Sequence, residues 1–568
     1  MSPSESEVPH QAGAAREQSP PERTGGELLV DCLLAQGVSL WTCVPGESYL
    51  PVLDALYSKA VAGHGPRLIT ARHEAGAANM AEAAGKLTGR AAVCLVTRGP
   101  GATHASIAVH TAFQDGTPMV LVVGQVARAH LGREAFQEMD FSKVFGGSAK
   151  AIVTVMEVDR VPEHVARVSH LAHAGRPGPV VLVMPEDVLA EKTNGQVQVA
   201  PRPATPSVVQ HEAELLLREL AAADRPLIVV GGPGWDQDIA DRVRAFGEAN
   251  SVPIVAAFRW QDAIDNRSSA YAGYLGLGCN QRLRRHIEEA DLVVALGPRL
   301  DDPTTNGFQL TDSCHRLGVV SEAAEELTTS SVPDFGIHAS LDSIVGVLLS
   351  RGLPRNPHRE RWAAELRAEQ ERFVTPKESD LDLDVARVIA HVRSQVPDDA
   401  IVTNGAGNYT VWVQRFFEFR RYRTQLAPRS GAMGYGLPAG LAAATLAPER
   451  TVVTFVGDGC LLMSGSEMAT AVQHELRLIV IVVNNSMFGT IRMHQERAFP
   501  KRVIATDLTN PDFSAWARSF GAQGSQVRRT EDFTPAFADA LAASGPSLIE
   551  LITDREQITP DLRIDELT

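Results

Sequence analysis

The sequence is short of cysteine and of positive charge, and it has no long apolar run. Six cysteines, Cys32, Cys43, Cys94, Cys279, Cys314 and Cys460, are scattered through 568 residues without a C-x-x-C pair. That spacing excludes a disulfide framework and a zinc site of the paired kind, and it fits a reducing, cytoplasmic compartment. Lys and Arg total 53 against 68 Asp and Glu, a formal net charge of −15. Binding to a phosphate backbone needs a basic surface, so a nucleic-acid partner is set aside. No stretch of about 18 apolar residues occurs, so no membrane-spanning helix is expected. The first two dozen residues mix Ser, Pro, Glu and Arg without an apolar core. They are neither a signal peptide nor, with their acids, a transit peptide, and residues 1–24 are expected to form a disordered tail.

What is present is globular. Hydrophobic residues make up 44% and charged ones 21%, and a chain this long exceeds one core, implying three or four domains. From Gly25 onward, helical patterns alternate with short apolar runs at 41–44, 68–70, 91–96, 119–123 and 180–183. Such alternation predicts a parallel sheet covered on both faces. A proline-rich linker at 200–206 precedes further runs at 226–234, 252–257, 292–296 and 317–320, and a charged stretch at about 355–380 precedes a third unit. The predicted class is α/β, with three doubly wound parallel-sheet domains over 25–195, 205–352 and 381–555. The first and third are read as built on one plan.

The third unit is organised around 451–485, TVVTFVGDGCLLMSGSEMATAVQHELRLIVIVVNN. Apolar β-branched runs at 451–456 and 478–483 flank a segment whose Met468, Ala471, Val472 and Leu476 follow helical spacing, giving strand, helix, strand. Parallel strands joined in this way lie about 4.8 Å apart, so residues just past their carboxyl ends reach one small object together. Those residues are Gly457, Asp458 and Gly459 after the first strand, and Asn484 and Asn485 after the second. A carboxylate and an amide oxygen, beside glycines that admit the backbone closely, suit Mg²⁺ carrying a phosphate ester. Taken singly, each piece reads equally as a turn or an Asn-rich loop. Glu74, in Arg72-His73-Glu74-Ala75, opens a helix after the run at 68–70, where an acid commonly complements the helix dipole. The glycine-bearing segments 97–103 and 124–126 end the next two strands, however, and ligands bind at such ends. The turn at 231–234 lacks a dinucleotide fingerprint and reads as a plain strand-to-helix turn.

Gly457-Asp458-Gly459, followed after 24 residues by Asn484-Asn485, resembles the signature of enzymes that bind thiamine diphosphate. From Gly25 to about Asp554 the chain is similar to their acetohydroxyacid synthase (acetolactate synthase)/pyruvate decarboxylase group. The resemblance implies thiamine diphosphate and Mg²⁺ as cofactors, with Asp458, Asn485 and the main-chain carbonyl of Met487 on the metal. Glu74 would hydrogen-bond N1′ of the aminopyrimidine. GAMGYGLP at 431–438 matches the family's G-x-M-G-[FY]-G-L-P and makes Met433 the side chain that bends the cofactor, although alone it would read as core filler. Gly407, Asn408 and Tyr409 stand where synthases hold the diphosphate with Gly-Gln-His, and Gly457, Gly459 and Cys460 complete the implied cofactor contacts. Gln137 lies in a synthase-like Ala-Phe-Gln-Glu, where pyruvate decarboxylases carry adjacent histidines. Glu47 takes the place of an acid or serine above the thiazolium, as a proton relay or else an ordinary surface-loop acid. The implied function is a lyase or carboligase that decarboxylates a 2-keto acid to an enamine, which is then protonated or adds to an aldehyde or ketone acceptor. The implied assembly is a homodimer or homotetramer with shared sites, Glu74 from one subunit facing Asp458 of another.

Departures from the family concern the acceptor. Where synthases follow Asp-Asp with an arginine, Asp301-Asp302 is followed by Pro303, and a synthase tryptophan is replaced by His494, near Arg492. FAD, kept by synthases in the central domain, is allowed by Arg299 and Asp301-Asp302. Two other readings are carried. A lyase or decarboxylase of 2-hydroxyacyl or oxalyl thioesters needs a basic patch for coenzyme A phosphates, which the sequence does not display. An inactive regulatory homologue is disfavoured by the presence of Glu74, Asp458 and Asn485.

Overall fold

The structure is a computed structural model that describes residues 22–38 and 40–567. Three six-stranded, wholly parallel sheets succeed one another. The first comprises β1 (Leu40–Cys43), β2 (Arg67–Thr70), β3 (Ala92–Val96), β4 (Met119–Gln125), β5 (Ala151–Thr154) and β6 (Pro179–Pro185), in the order β2-β1-β3-β4-β6-β5. The second comprises β7 (Pro226–Val230), β8 (Ile254–Ala256), β9 (Tyr271–Tyr274), β10 (Leu292–Leu296), β11 (Leu317–Ser321) and β12 (Phe335–His338), ordered β9-β8-β7-β10-β11-β12. In the third, β13 (Ile401–Asn404), β14 (Gln425–Leu426), β15 (Val452–Gly457), β16 (Ile479–Asn484), β17 (Gln523–Val527) and β18 (Ser547–Ile552) run β14-β13-β15-β16-β18-β17. The first and third sheets therefore share one topology. Their inner strands are buried on both faces, which is why they read as unbroken Val, Ile and Leu runs.

Strand order reverses between β1 and β3 in the first sheet and between β13 and β15 in the third, and each reversal opens a crevice at the carboxyl ends. Between these sheets the helices Glu74–Thr88 and Gly436–Leu446 pack against each other. Both are rich in Ala and Gly, so their backbones approach closely, and Met80, Ala84, Leu437 and Ala443 join one core. The central sheet keeps its own core. That core reaches beyond the expected 205–352, because the charged stretch contains a helix, Pro357–Val374, that lays Trp362 and Leu366 into it. Polar contacts join the central and third domains. Asp262 accepts from the main-chain N–H groups of Thr424 and Gln425 at 3.0 and 3.1 Å, and burial pushes its carboxyl up to about 6.

Of the expected tail, residues 1–21 lie outside the described residues. Arg23–Thr24 already belongs to the fold, pairing antiparallel with Lys192–Thr193, and Thr24 and Glu27 cap the helix Gly25–Ala35 reciprocally. No helix among the described residues is long and apolar enough to cross a membrane.

Candidate active site

The crevice at the β13/β15 reversal holds a cavity of about 450 Å³. Gly407, Asn408 and Tyr409 reach it from the end of β13, Gly457, Asp458, Gly459 and Cys460 from β15, and Asn485 and Met487 from β16, with Met433 on a further wall. Asp458 is 2% exposed, and its Oδ1 accepts from the Gly459 N–H at 2.9 Å. Burial holds its carboxyl above the usual carboxylate range, with only N–H donors and no basic side chain opposing that rise. Asn485 accepts from the Met487 N–H at 3.3 Å across a turn in which Ser486 takes φ 55°. Asn484 turns away from the cavity, donating to Glu550 at 2.8 Å. Gly459 has no room for a side chain, since a Cβ there would stand 2.6 Å from the Phe488 ring.

The remaining contacts sort the expected cofactor residues by what they can offer. Tyr409 accepts from the Gly405 N–H at 3.0 Å and sends its hydroxyl toward Cys460 Sγ, which also receives the Gly434 N–H at 3.2 Å. Those side chains brace the cavity floor. Asn408 accepts from Thr490 at 2.8 Å at the cavity's edge. Asn510, which sequence reasoning missed, donates to Asp458 at 2.7 Å and to Asn484 at 2.9 Å while its own Oδ1 is buried without a partner. Only an Asn-Pro-Asp turn marks it in the sequence. The donor set suits Mg²⁺: Asp458, Asn485 and Met487 line one cavity, and no basic side chain is among the groups that lower the buried carboxylate's pKa.

The first-domain candidates assemble elsewhere. Glu47 lies on the 3₁₀ turn Glu47–Tyr49 after β1 and is exposed, 3.4 Å from Arg98. Arg98 also donates to the carbonyl of Phe136 at 3.1 Å, and Gln137, at φ 64°, packs on Gly99. Glu74 starts its helix facing Gly101, and its Oε2 lies 2.9 Å from His104 Nδ1. His104 stacks on His73, and both histidines escaped the sequence reading as partners of Glu74. Glu467, from the third domain, accepts from the Arg72 and His73 N–H groups at 3.1 and 3.0 Å, fixing the strand-to-helix turn that presents Glu74. Every residue lining the Asp458 cavity is numbered 377 or higher. Within one chain, then, the Glu74 group and the Asp458 cavity are separate.

Comparison with known proteins decides the family. Three family models match in chain order: thiamine pyrophosphate enzyme, N-terminal TPP binding domain, over residues 23–144; central domain, over 213–348; and C-terminal TPP binding domain, over 405–551. The acetolactate synthase large subunit of Parasynechococcus marenigrum is 30% identical over 551 residues, covering 95% of this chain and 89% of that protein. The chain belongs to the thiamine pyrophosphate enzyme family. As a thiamine pyrophosphate enzyme it is also similar to the acetolactate synthase isozyme 1 large subunit of Escherichia coli, 29% identical with 94% of each chain covered. The mitochondrial acetolactate synthase of Schizosaccharomyces pombe is 28% identical over 95% of this chain and 84% of that protein. The two TPP binding domains of this family member contain the two groups described above, Glu74 in the first and Asp458 in the third.

In this thiamine pyrophosphate enzyme the residues that depart from the synthase pattern take the following places. Pro303 sits at the start of the helix Asp302–Thr305, capped by Asp301, whose carboxylate also meets Arg429 at 2.5 Å. Arg299 lies 3.7 Å from Glu326. Arg299 and Asp301, two of the side chains that allowed FAD together with Asp302, thus already have partners within the protein. Arg492 pairs with Glu496 at 3.1 Å, and His494 is exposed on the helix Gly489–Ala498, facing a second cavity.

Proposed function

We propose that the chain is a thiamine-diphosphate- and Mg²⁺-dependent lyase or carboligase acting on a 2-keto acid. The observation that supports this most is the convergence of Asp458, Asn485 and Met487 on one cavity at a topological reversal, with no basic side chain among the groups that lower the buried carboxylate's pKa. Asp458, Asn485 and the Met487 carbonyl hold the metal, and Gly407 and Asn408 receive the diphosphate. When bound there, thiamine diphosphate supplies a carbon nucleophile and an electron sink. Glu74 supplies the carboxylate for the pyrimidine ring, held in place by His104. Glu47, kept near Arg98, is placed to move a proton at the substrate carbonyl. Met433 and Gln137 shape the two walls. Because the Glu74 group and the Asp458 cavity are separate within a chain, the working unit is a homodimer in which Glu74 of one copy completes the cavity of the other. No step is assigned to FAD.

The acceptor is the second question. One charge-assisted hydrogen bond is worth about 1.5–3 kcal/mol, roughly 10- to 150-fold in selection. Pro303 offers a keto acid acceptor no such contact. Pyruvate alone should therefore give little acetolactate, the product being an aldehyde or the adduct of an uncharged carbonyl. A panel of 2-keto acids, with and without aldehyde acceptors, would be assayed for carbon dioxide release and product identity. Acetolactate as the dominant product from pyruvate would overturn the acceptor reading, and no carbon dioxide from any member would count against the keto-acid reading.

A further inference from the structure

Beside the cofactor cavity lies a second one, of about 940 Å³. The two share Lys377, Asn408, Arg415 and Thr490 as walls, so one molecule can span both. The other cations of the second cavity come from three helices that are distant in sequence. Arg282 and Arg285 lie on Gln281–Glu289, Arg372 on Pro357–Val374, and Arg497 beside His494 on Gly489–Ala498. Only two carboxylates, Glu369 and Asp561, line the same space. Glu369 meets Arg282 at 3.0 Å and Arg372 at 3.3 Å, while Asp561 meets Lys377 at 2.9 Å and also Arg415. Arg285 and Arg497 enter no ion pair among the described residues. Six fixed positive charges against two negative ones leave a surplus of four, in a chain whose formal net charge is −15.

Arg282, Arg372 and Lys377 are solvent-exposed, so the surplus charge is screened, yet a concave site focuses its field inward and favours an anion there. Guanidinium forks match phosphate oxygens in bidentate pairs. A pyruvate-sized acid has one carboxylate and fills a small part of this volume. We propose that the second cavity holds the tail of a substrate bearing at least two phosphate groups, whose reacting carbonyl extends past the Asn408–Thr490 pair into the cofactor cavity. This rests on the cofactor reading above and names the substrate class for that site. An acyl thioester of coenzyme A and a phosphorylated sugar share the chemistry. The cavity also supplies the basic patch that the thioester reading lacked in the sequence.

The test uses protein loaded with thiamine diphosphate and Mg²⁺, titrated calorimetrically with coenzyme A, with fructose 1,6-bisphosphate, and with pyruvate as the single-charge control. At least one phosphate compound should bind with a Kd below about 100 μM, at least tenfold more tightly than pyruvate. The double variant Arg285→Ala/Arg497→Ala should weaken that binding about 100-fold, roughly tenfold per arginine. Its thiamine diphosphate affinity and melting temperature should be unchanged. Tighter binding of coenzyme A supports the thioester source, tighter binding of the bisphosphate supports the sugar source, and equal affinities support the shared tail chemistry. Loaded protein that binds neither phosphate compound, or binds one equally well in the double variant, overturns the proposal and leaves the cofactor reading standing. Failure to load thiamine diphosphate overturns the cofactor reading and the proposal with it.

Discussion

Asp458 is a buried acid with no basic side chain beside it. Its carboxyl is held above the ordinary range in the folded protein, so the folded state binds more protons than the unfolded one between the two pKa values. Without a cation this group's contribution to stability is greatest at low pH and is lost as pH rises through the raised folded value. Removing the charge should therefore stabilise the empty protein. Asp458→Asn is expected to melt about 2–4 °C above the wild type at pH 7.5 without cofactor, a change of about 1 kcal/mol. The gap should shrink at pH 5, and the variant should gain nothing from Mg²⁺ with thiamine diphosphate. Calorimetry at the two pH values checks this, and an equal gap at both would refute the assigned cause. At this scale the positions of Asp458, Asn485 and Glu74 just past apolar runs are legible in the sequence, and the structure has each of them just past a strand. Asn510, Glu467 and His104 are not legible in the sequence. They act through contacts made 52, 395 and 30 residues away, for which no local pattern exists.

The helix Glu74–Thr88 is the element on which the two TPP binding domains meet. Lys86 lies within it, hydrogen-bonded to Asp115 and to the Ala427 carbonyl at 3.0 Å, and 3.3 Å from the fully buried Glu82. Tyr435, from the facing helix's approach, donates to Glu82 at 2.5 Å. Breaking one partner of a buried ionic group leaves uncompensated charge, which costs about 3–5 kcal/mol. Lys86→Met should lower the urea midpoint correspondingly, and adding Glu82→Gln and Asp115→Asn should recover most of the loss. A single variant within about 1 kcal/mol of the wild type would show that these charges are solvated or redundant. The sequence marks every inner strand of the first two sheets but not the edge strands β5, β9 or β12, and in the third sheet it marks only β15 and β16. The burial of β5 and β12 is partial or alternating, so neither produces an unbroken apolar run. The two-residue β14 is too short to leave any signature.

Over the whole molecule, the first and third domains share one core while the central domain keeps another. The Glu74 group nevertheless stays apart from the Asp458 cavity within a chain, since no residue before Lys377 lines that cavity. Mixing inactive Glu74→Ala with inactive Asp458→Ala protein should restore activity, to about a quarter of the wild type if subunits exchange freely and each dimer of mixed type carries one intact site. Exchange demonstrated by mass with no return of activity would rule out shared sites. The proposed pairing needs Glu74 on one subunit and Asp458 on the other, so the readout separates it from a mere need for dimers.

By itself the sequence determined the α/β class, the three sheets and the cofactor signature. Those rest on local periodicity and on residues that follow strands at once, and such relations survive in a linear string. Only the tertiary structure decided that Tyr409 and Cys460 brace a floor, that Arg299 and Asp301 are engaged within the protein, and that His494 faces a second cavity. The basic surplus of that cavity was equally illegible. Its cations are spread from position 282 to position 497 of an acidic chain, and charges so far apart add to one field only after packing brings them to one wall.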